Sequence, residues 1–277
     1  MDYLKLKLHM IRSIGILFLI TLLLSCDKQV ETKMIHPLDR LSDDIAGDVV
    51  RKAIDYAGGW ETWESKKDFS FYKVISAVDS TGEVYKRTRQ LHQYKLGQSF
   101  QGRMTWKVGA DDFTIVNNGS EAKKYKNGSE LTDEKSQKEA WNSSFGSNYV
   151  IAMPYKLTDP GVILSYEGID TTTLDKPVHS LKVEYEEGAG SSGGMHIWWY
   201  YFDKETYDLA GNFLDYGNGY SLTTYETFTK VDHIRLHKKR YSYASNDKKE
   251  KVILKTIYEN EEMKFNNQLG PSTFQLL

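Results

Sequence analysis

Residues 69–96 read FSFYKVISAVDSTGEVYKRTRQLHQYKL. Side-chain character changes at every second position, aromatic and β-branched residues dominate, and Ser80, Thr81 and Gly82 interrupt the run where a hairpin would turn. Successive side chains of a strand point to opposite faces, so the pattern predicts two antiparallel strands, 69–78 and 83–96. The period continues in 98–108, 112–117 and 121–126, with Asn118-Gly119 and Asn127-Gly128 as turn signals.

Upstream of this meander the period is helical. Ile45, Val49, Ala53 and Ala57 recur every four residues with Val50 and Ile54 beside them; Ser42 or Asp43 is placed to cap the start, and Gly58-Gly59 to end the helix. Downstream, Thr132 is the expected cap of a second helix carrying Ala140, Trp141 and Phe145. Residues 153–164 hold two of the five prolines and read as an ordered, partly buried crossing segment. Strand patterns then return at 180–185, 195–203, 207–216, 221–231, 233–244 and 251–259. About eleven strands with few helices and hairpin-length gaps predict a mainly β (α+β) protein, a single domain over 44–277 built on one curved antiparallel sheet.

Composition excludes several classes. With 36 basic against 38 acidic residues the formal charge of the 277-residue chain is -2, which argues against a nucleic-acid binder. One cysteine precludes an intrachain disulfide framework. That cysteine has another expected use. Lys5, Lys7 and Arg12 precede an apolar run over 14–24 that is short for a membrane span but fits a signal peptide. Leu23-Leu24-Ser25-Cys26 resembles the bacterial lipobox, which implies cleavage after residue 25 and lipidation of Cys26. Residues 26–43 then read as anchor and tether, with a reach of roughly 20 to 25 Å for a flexible chain of that length. The expected location is the bacterial cell envelope, at the outer membrane, held through the N-terminal lipid.

Three further stretches carry a family resemblance: IDYAGGWETWESKKDFSF (54–71), MPYKLTDPGV (153–162), and YYFDKETYDLAG (200–211) with the later IRLHKKRYSY (234–243). Together they resemble an uncharacterised family of Bacteroidota envelope lipoproteins that is similar to the lipoprotein-carrier group (LolA, LolB and relatives). The resemblance covers most of residues 44–263 and implies an open antiparallel half-barrel of about eleven strands with helices covering its concave face. Relatives often carry proline after the isoleucine-x-leucine motif, whereas Leu236 is followed by His237 here. The resemblance brings no catalytic residues with it.

A half-barrel covered by helices either fills its hollow with side chains or leaves an apolar cavity able to hold an apolar ligand. Ile197, Trp199 and Tyr201 share one strand face, and His196, Trp198, Tyr200 and Phe202 share the other. The first set is expected to face inward and to meet Trp141, Phe145 and Tyr155 from the cover, making a site for a lipid or acyl chain. The competing reading is a structural or partner-binding lipoprotein whose core is filled by these rings.

Enzymatic motifs do not appear. His233 and His237 have zinc-ligand spacing only on a helix; on a strand they lie roughly 13 Å apart and read as solvated or turn residues. Residues 188–194 (GAGSSGG) sit between strands and read as a hairpin loop. No cofactor, metal or nucleic-acid partner is expected, and no protein partner is identified. The basic clusters 123–126, 238–240 and 248–251 read as strand-edge lysines that discourage edge pairing.

Overall fold

The computed structural model describes residues 35–97, 100–190 and 194–277. Among them, thirteen strands make one antiparallel sheet: β1 (Asp68–Val78), β2 (Val84–Lys95), β3 (Gln101–Val108), β4 (Asp111–Asn117), β5 (Ala122–Lys126), β6 (Ser129–Glu130), β7 (Val162–Asp170), β8 (Val178–Tyr185), β9 (Ile197–Asp203), β10 (Leu209–Asp215), β11 (Tyr220–Val231), β12 (Ile234–Ser245) and β13 (Lys251–Phe265). Their spatial order runs from β6 back to β1, then from β13 back to β7. Two meanders therefore meet where β1 pairs with β13, Phe69 opposite Phe265. Strands β6 and β7 form the two edges and do not pair, so the sheet stays open. The sequence reading missed β6, a two-residue strand too short to show a period, and β7, which begins inside the stretch read as a crossing.

Among the described residues, three α-helices accompany the sheet: α1 (Ile45–Ala57), α2 (Trp60–Glu64) and α3 (Glu134–Ile151). The chain leaves one sheet edge at β6 and rejoins the other at β7, and α3 lies in that connection. Helix α1 buries Val49, Val50, Ala53 and Ile54 against the sheet, touching β7 and β12. Each such Val or Ile stabilises the fold by about 1.5–3 kcal/mol. Its cap is Asp44 rather than Ser42 or Asp43: the Asp44 carboxylate accepts from Gly47 N at 2.9 Å, and the Ser42 hydroxyl donates to it at 2.8 Å. Helix α3 is likewise capped one residue later than expected, by Asp133 accepting from Ser136 N. Asp133 and Asp44 are carboxylates and accept more strongly than the Thr132 and Ser42 hydroxyls, while Asp43 instead pairs with Arg51. Gly58 ends α1 at φ 126°, and a Cβ there would lie 2.5 Å from the His233 carbonyl oxygen.

Rings from both meanders, among them Phe69, Phe71, Tyr94, Tyr185, Tyr225 and Phe265, fill the α1 end of the hollow together with Tyr155 from the connection between β6 and β7. Residues 36–43, expected to be tether, are folded onto this body. A 3-10 turn spans Pro37–Arg40, Leu41 is buried in the same core, and the Arg51 guanidinium donates to the Leu41 carbonyl at 2.8 Å. Burial of Leu41 favours docking over free extension. Cys26 and the rest of the leader lie outside the described residues, as do positions 191–193 of the glycine-rich stretch expected to be a hairpin loop.

Candidate functional site

Helix α3 packs over β3, β4 and β5 and roofs a cleft of about 540 Å³, inside the range of about 300–1,000 Å³ usual for small-ligand sites. Ile75 of β1, Met104 and Trp106 of β3 and Ile115 of β4 form one apolar wall. Trp198 and Tyr200 of β9 with Leu214 of β10 form another. The roof is polar and small: Asn142, Ser143, Gly146 and Ser147 recur at three- and four-residue spacing along α3. On its packed side the same helix buries Ala140 against Met104 and Ile115, while Ser144 accepts from Asn117 Nδ2 at 3.1 Å.

Two cations lie on the floor. Lys73 Nζ is 5.2 Å from the centre of the Tyr258 ring, and the Arg240 guanidinium carbon is 4.7 Å from the same centre. Register fixes this arrangement, because Ile75 and Arg240 both pair with Tyr258, from β1 and β12, across β13. Lys73 donates to Ser147 Oγ of the roof at 3.1 Å. Arg240 is only 6% exposed, and its Nε is buried with no hydrogen-bond partner among the described residues. Neither cation has a carboxylate partner among the described residues. Glu139 also lines the cleft, but its charge is met by Lys124 at 2.8 Å. The Trp198 Nε1 is a second buried donor without a partner among the described residues.

Burial beside these charges depresses Lys73, His92 and His237. Burial, then the Arg240 charge, pulls the Lys73 ammonium down to about 7. Burial and the Lys73 charge hold the His92 imidazole well below its ordinary range; burial, Arg240 and Lys73 do the same to His237. His92 Nδ1 lies 2.7 Å from the Tyr94 hydroxyl, and its Nε2 lies 3.1 Å from Gln90 Oε1. Register slips around Thr227 in the β11–β12 pairing let His237 and Arg240, three residues apart, both be buried.

The six residues expected to line the cavity do not line this cleft. Strand β9 has the opposite facing to that expected: His196, Trp198 and Tyr200 point into the cleft. Tyr201 and Trp199 instead pack on the outer face with Leu174, Phe213 and Leu222. Trp199 Nε1 donates there to Glu167 at 2.8 Å, and Ile197 shares its facing. Both faces of β9 carry aromatic rings, Trp198 and Tyr200 toward the cleft and Trp199 and Tyr201 toward Leu174, so aromatic content could not choose between them. From the cover, Trp141 is 41% exposed, Phe145 packs between Phe100 and Tyr149, and Tyr155 is buried in a stack on Trp63 at 4.5 Å. The hollow is also less apolar than expected, because Asn212, Ser221, Thr223 and Ser242 line it beside the cations.

Two other expectations are corrected. His237 is buried within β12, 4% exposed, rather than solvated, while His233 occupies the β11–β12 turn with φ 70°. The 238–240 cluster is not at an edge, since β12 lies between β11 and β13. Lys123 and Lys124 near the β6 edge, and Lys251 farther on, are paired with Glu130, Glu139 and Asp175.

Three solved structures resemble this open antiparallel sheet roofed by a helix. A DUF1329 family protein from Desulfovibrio piger matches with TM-score 0.51 and 11% identity, over 84% of this chain and 98% of that one. A Vibrio parahaemolyticus domain assigned to outer membrane lipoprotein sorting matches with TM-score 0.51 and 8% identity, over 82% and 95%. A LolA superfamily protein from Nitrosomonas europaea gives TM-score 0.49 and 9% identity, over 83% and 97%. At these identities the likeness is one of fold. No curated protein matches the sequence. The chain belongs to the family of unknown function DUF6503, whose model matches residues 12–265.

Proposed function

We propose that this protein is a lipid-anchored envelope protein that binds or carries an acyl-containing ligand in the cleft beneath α3. The observation that carries the reading is the cleft itself: about 540 Å³ that side chains do not fill, walled by Ile75, Met104, Trp106, Ile115, Trp198 and Leu214. An apolar wall of that size gains by covering a hydrocarbon chain at about 0.8 kcal/mol per buried methylene. The fold shared with a domain assigned to lipoprotein sorting supports the same use. So does the leader, whose Cys26 would fix the protein to the membrane from which such ligands come.

Native mass spectrometry of the protein, extracted from its own membrane in mild detergent, tests this. The expected protein mass starts at Cys26 with acyl chains attached, and a further non-covalent mass of an acyl amphiphile accompanies it in one-to-one ratio. A lipidated protein without added mass would instead support the structural reading with no ligand. An unprocessed chain carrying its leader would remove the anchor.

A further inference from the structure

We propose that the acyl ligand carries an anionic head, a carboxylate or a phosphate monoester, and that Arg240 and Lys73 hold it on the floor of the cleft. This rests on the cleft being the acyl site. Burying a charge is unfavourable unless it is paired, and an arginine cannot shed its proton to escape. Arg240 is nevertheless 6% exposed, lines the cleft, and leaves Nε without a partner among the described residues. Lys73 stands against the same Tyr258 ring, its ammonium donating to the neutral Ser147 hydroxyl.

Two like charges on one ring repel each other, and the described residues supply no carboxylate between them: Glu139 is engaged by Lys124. Lys138 adds a third cation at the cleft rim. His92 and His237 behind the floor, and His196 at the rim, are all depressed and supply no negative charge. One anion above Tyr258 would meet the guanidinium fork and the ammonium together, and the buried Trp198 Nε1 offers a further donor from the wall. A mildly acidic protein has thus placed a buried arginine and a partly buried lysine without carboxylate partners in the hollow where an acyl chain fits.

Competition read by native mass spectrometry on the membrane-extracted protein tests the head group. Equal amounts of hexadecanoate and methyl hexadecanoate are added, then hexadecyl phosphate in place of the acid. The acid is expected to fill the protein over the ester by about ten- to a hundredfold, the size of one or two charge-assisted hydrogen bonds. In Arg240→Gln the ratio should fall toward one, and Arg240→Lys should restore part of it. The relative filling by acid and phosphate identifies which head the floor prefers. Equal filling by acid and ester in the unmodified protein overturns the anionic head and leaves the acyl site standing. Binding of acetate or inorganic phosphate as strongly as the long-chain acid overturns the acyl site instead, and no complex with any of these overturns both.

Discussion

Lys73 on β1 and Arg240 on β12 each stand close to one ring, that of Tyr258 on β13, at 5.2 and 4.7 Å from its centre, with no carboxylate partner for either among the described residues. The three strands are neighbours at the seam where the two meanders join, so the cations sit at the middle of the sheet. The arrangement costs the fold stability in a way that pH should reveal.

Lys73 has its ammonium depressed to about 7, whereas the unfolded chain would hold that proton to about 10.5. Between those values the unfolded state binds more protons, so stability rises with pH across that window, by up to about 1.4 kcal/mol per pH unit. Urea unfolding of the ligand-free protein at pH 7 to 9.5 should show this slope, and Lys73→Met should flatten it. Parallel slopes for the two proteins would remove Lys73 from the floor as described.

His92 and His237 are depressed as well, so their linkage works at lower pH. An unfolded imidazole charges near 6.5, while the buried ones stay neutral well below that. Their contribution is complete above about 6.5 and is lost as pH falls from there. The double variant His92→Gln, His237→Gln should lose less stability between pH 6.5 and 5 than the parent. Circular dichroism melts across that range give the comparison; an unchanged pH slope would contradict it.

Trp198 and Trp199 are adjacent in sequence and opposite in facing, which separates cleft effects from general loss of packing. Trp198→Ala should weaken binding of a fluorescent acyl probe by about tenfold, the loss of one apolar wall contact. Trp199→Ala removes the outer cluster's contact with Phe213 and its bond to Glu167 and should leave probe affinity within about twofold. The reverse order of effects would place the ligand on the outer face.

Gly58 is required by geometry where α1 ends. At φ 126° with the His233 carbonyl 2.5 Å from any Cβ, Gly58→Ala should destabilise the fold by at least about 1–3 kcal/mol, measured as a shift in the urea midpoint.

Much of this architecture was legible in the sequence, because residues 69–78 and 83–96 are rich in aromatic and β-branched residues and Gly58-Gly59, Asn127-Gly128 and Ser80-Thr81-Gly82 mark real ends and turns. The site was not. At β9 both faces carry aromatic rings, and at β10 and β11 Phe213 and Leu222 pack outward beneath Leu174 while Asn212, Ser221 and Thr223 face the hollow. A rule that sends apolar residues inward picks the wrong face there. The readable signals were the polar and small stripe of α3 and a lysine inside the largely apolar β1 pattern. A local conflict between pattern and fold is where a binding site is expected.

Methionine methyl spectra report on the cleft most directly, because Met104 and Met195 line it whereas Met153 and Met263 lie elsewhere. In the membrane-extracted protein carrying ¹³C-methyl methionine, titration with hexadecanoate should move the Met104 and Met195 resonances and leave those of Met153 and Met263 in place. A saturating titration that leaves Met104 unmoved, or that shifts Met263 in its stead, would contradict a ligand beneath α3.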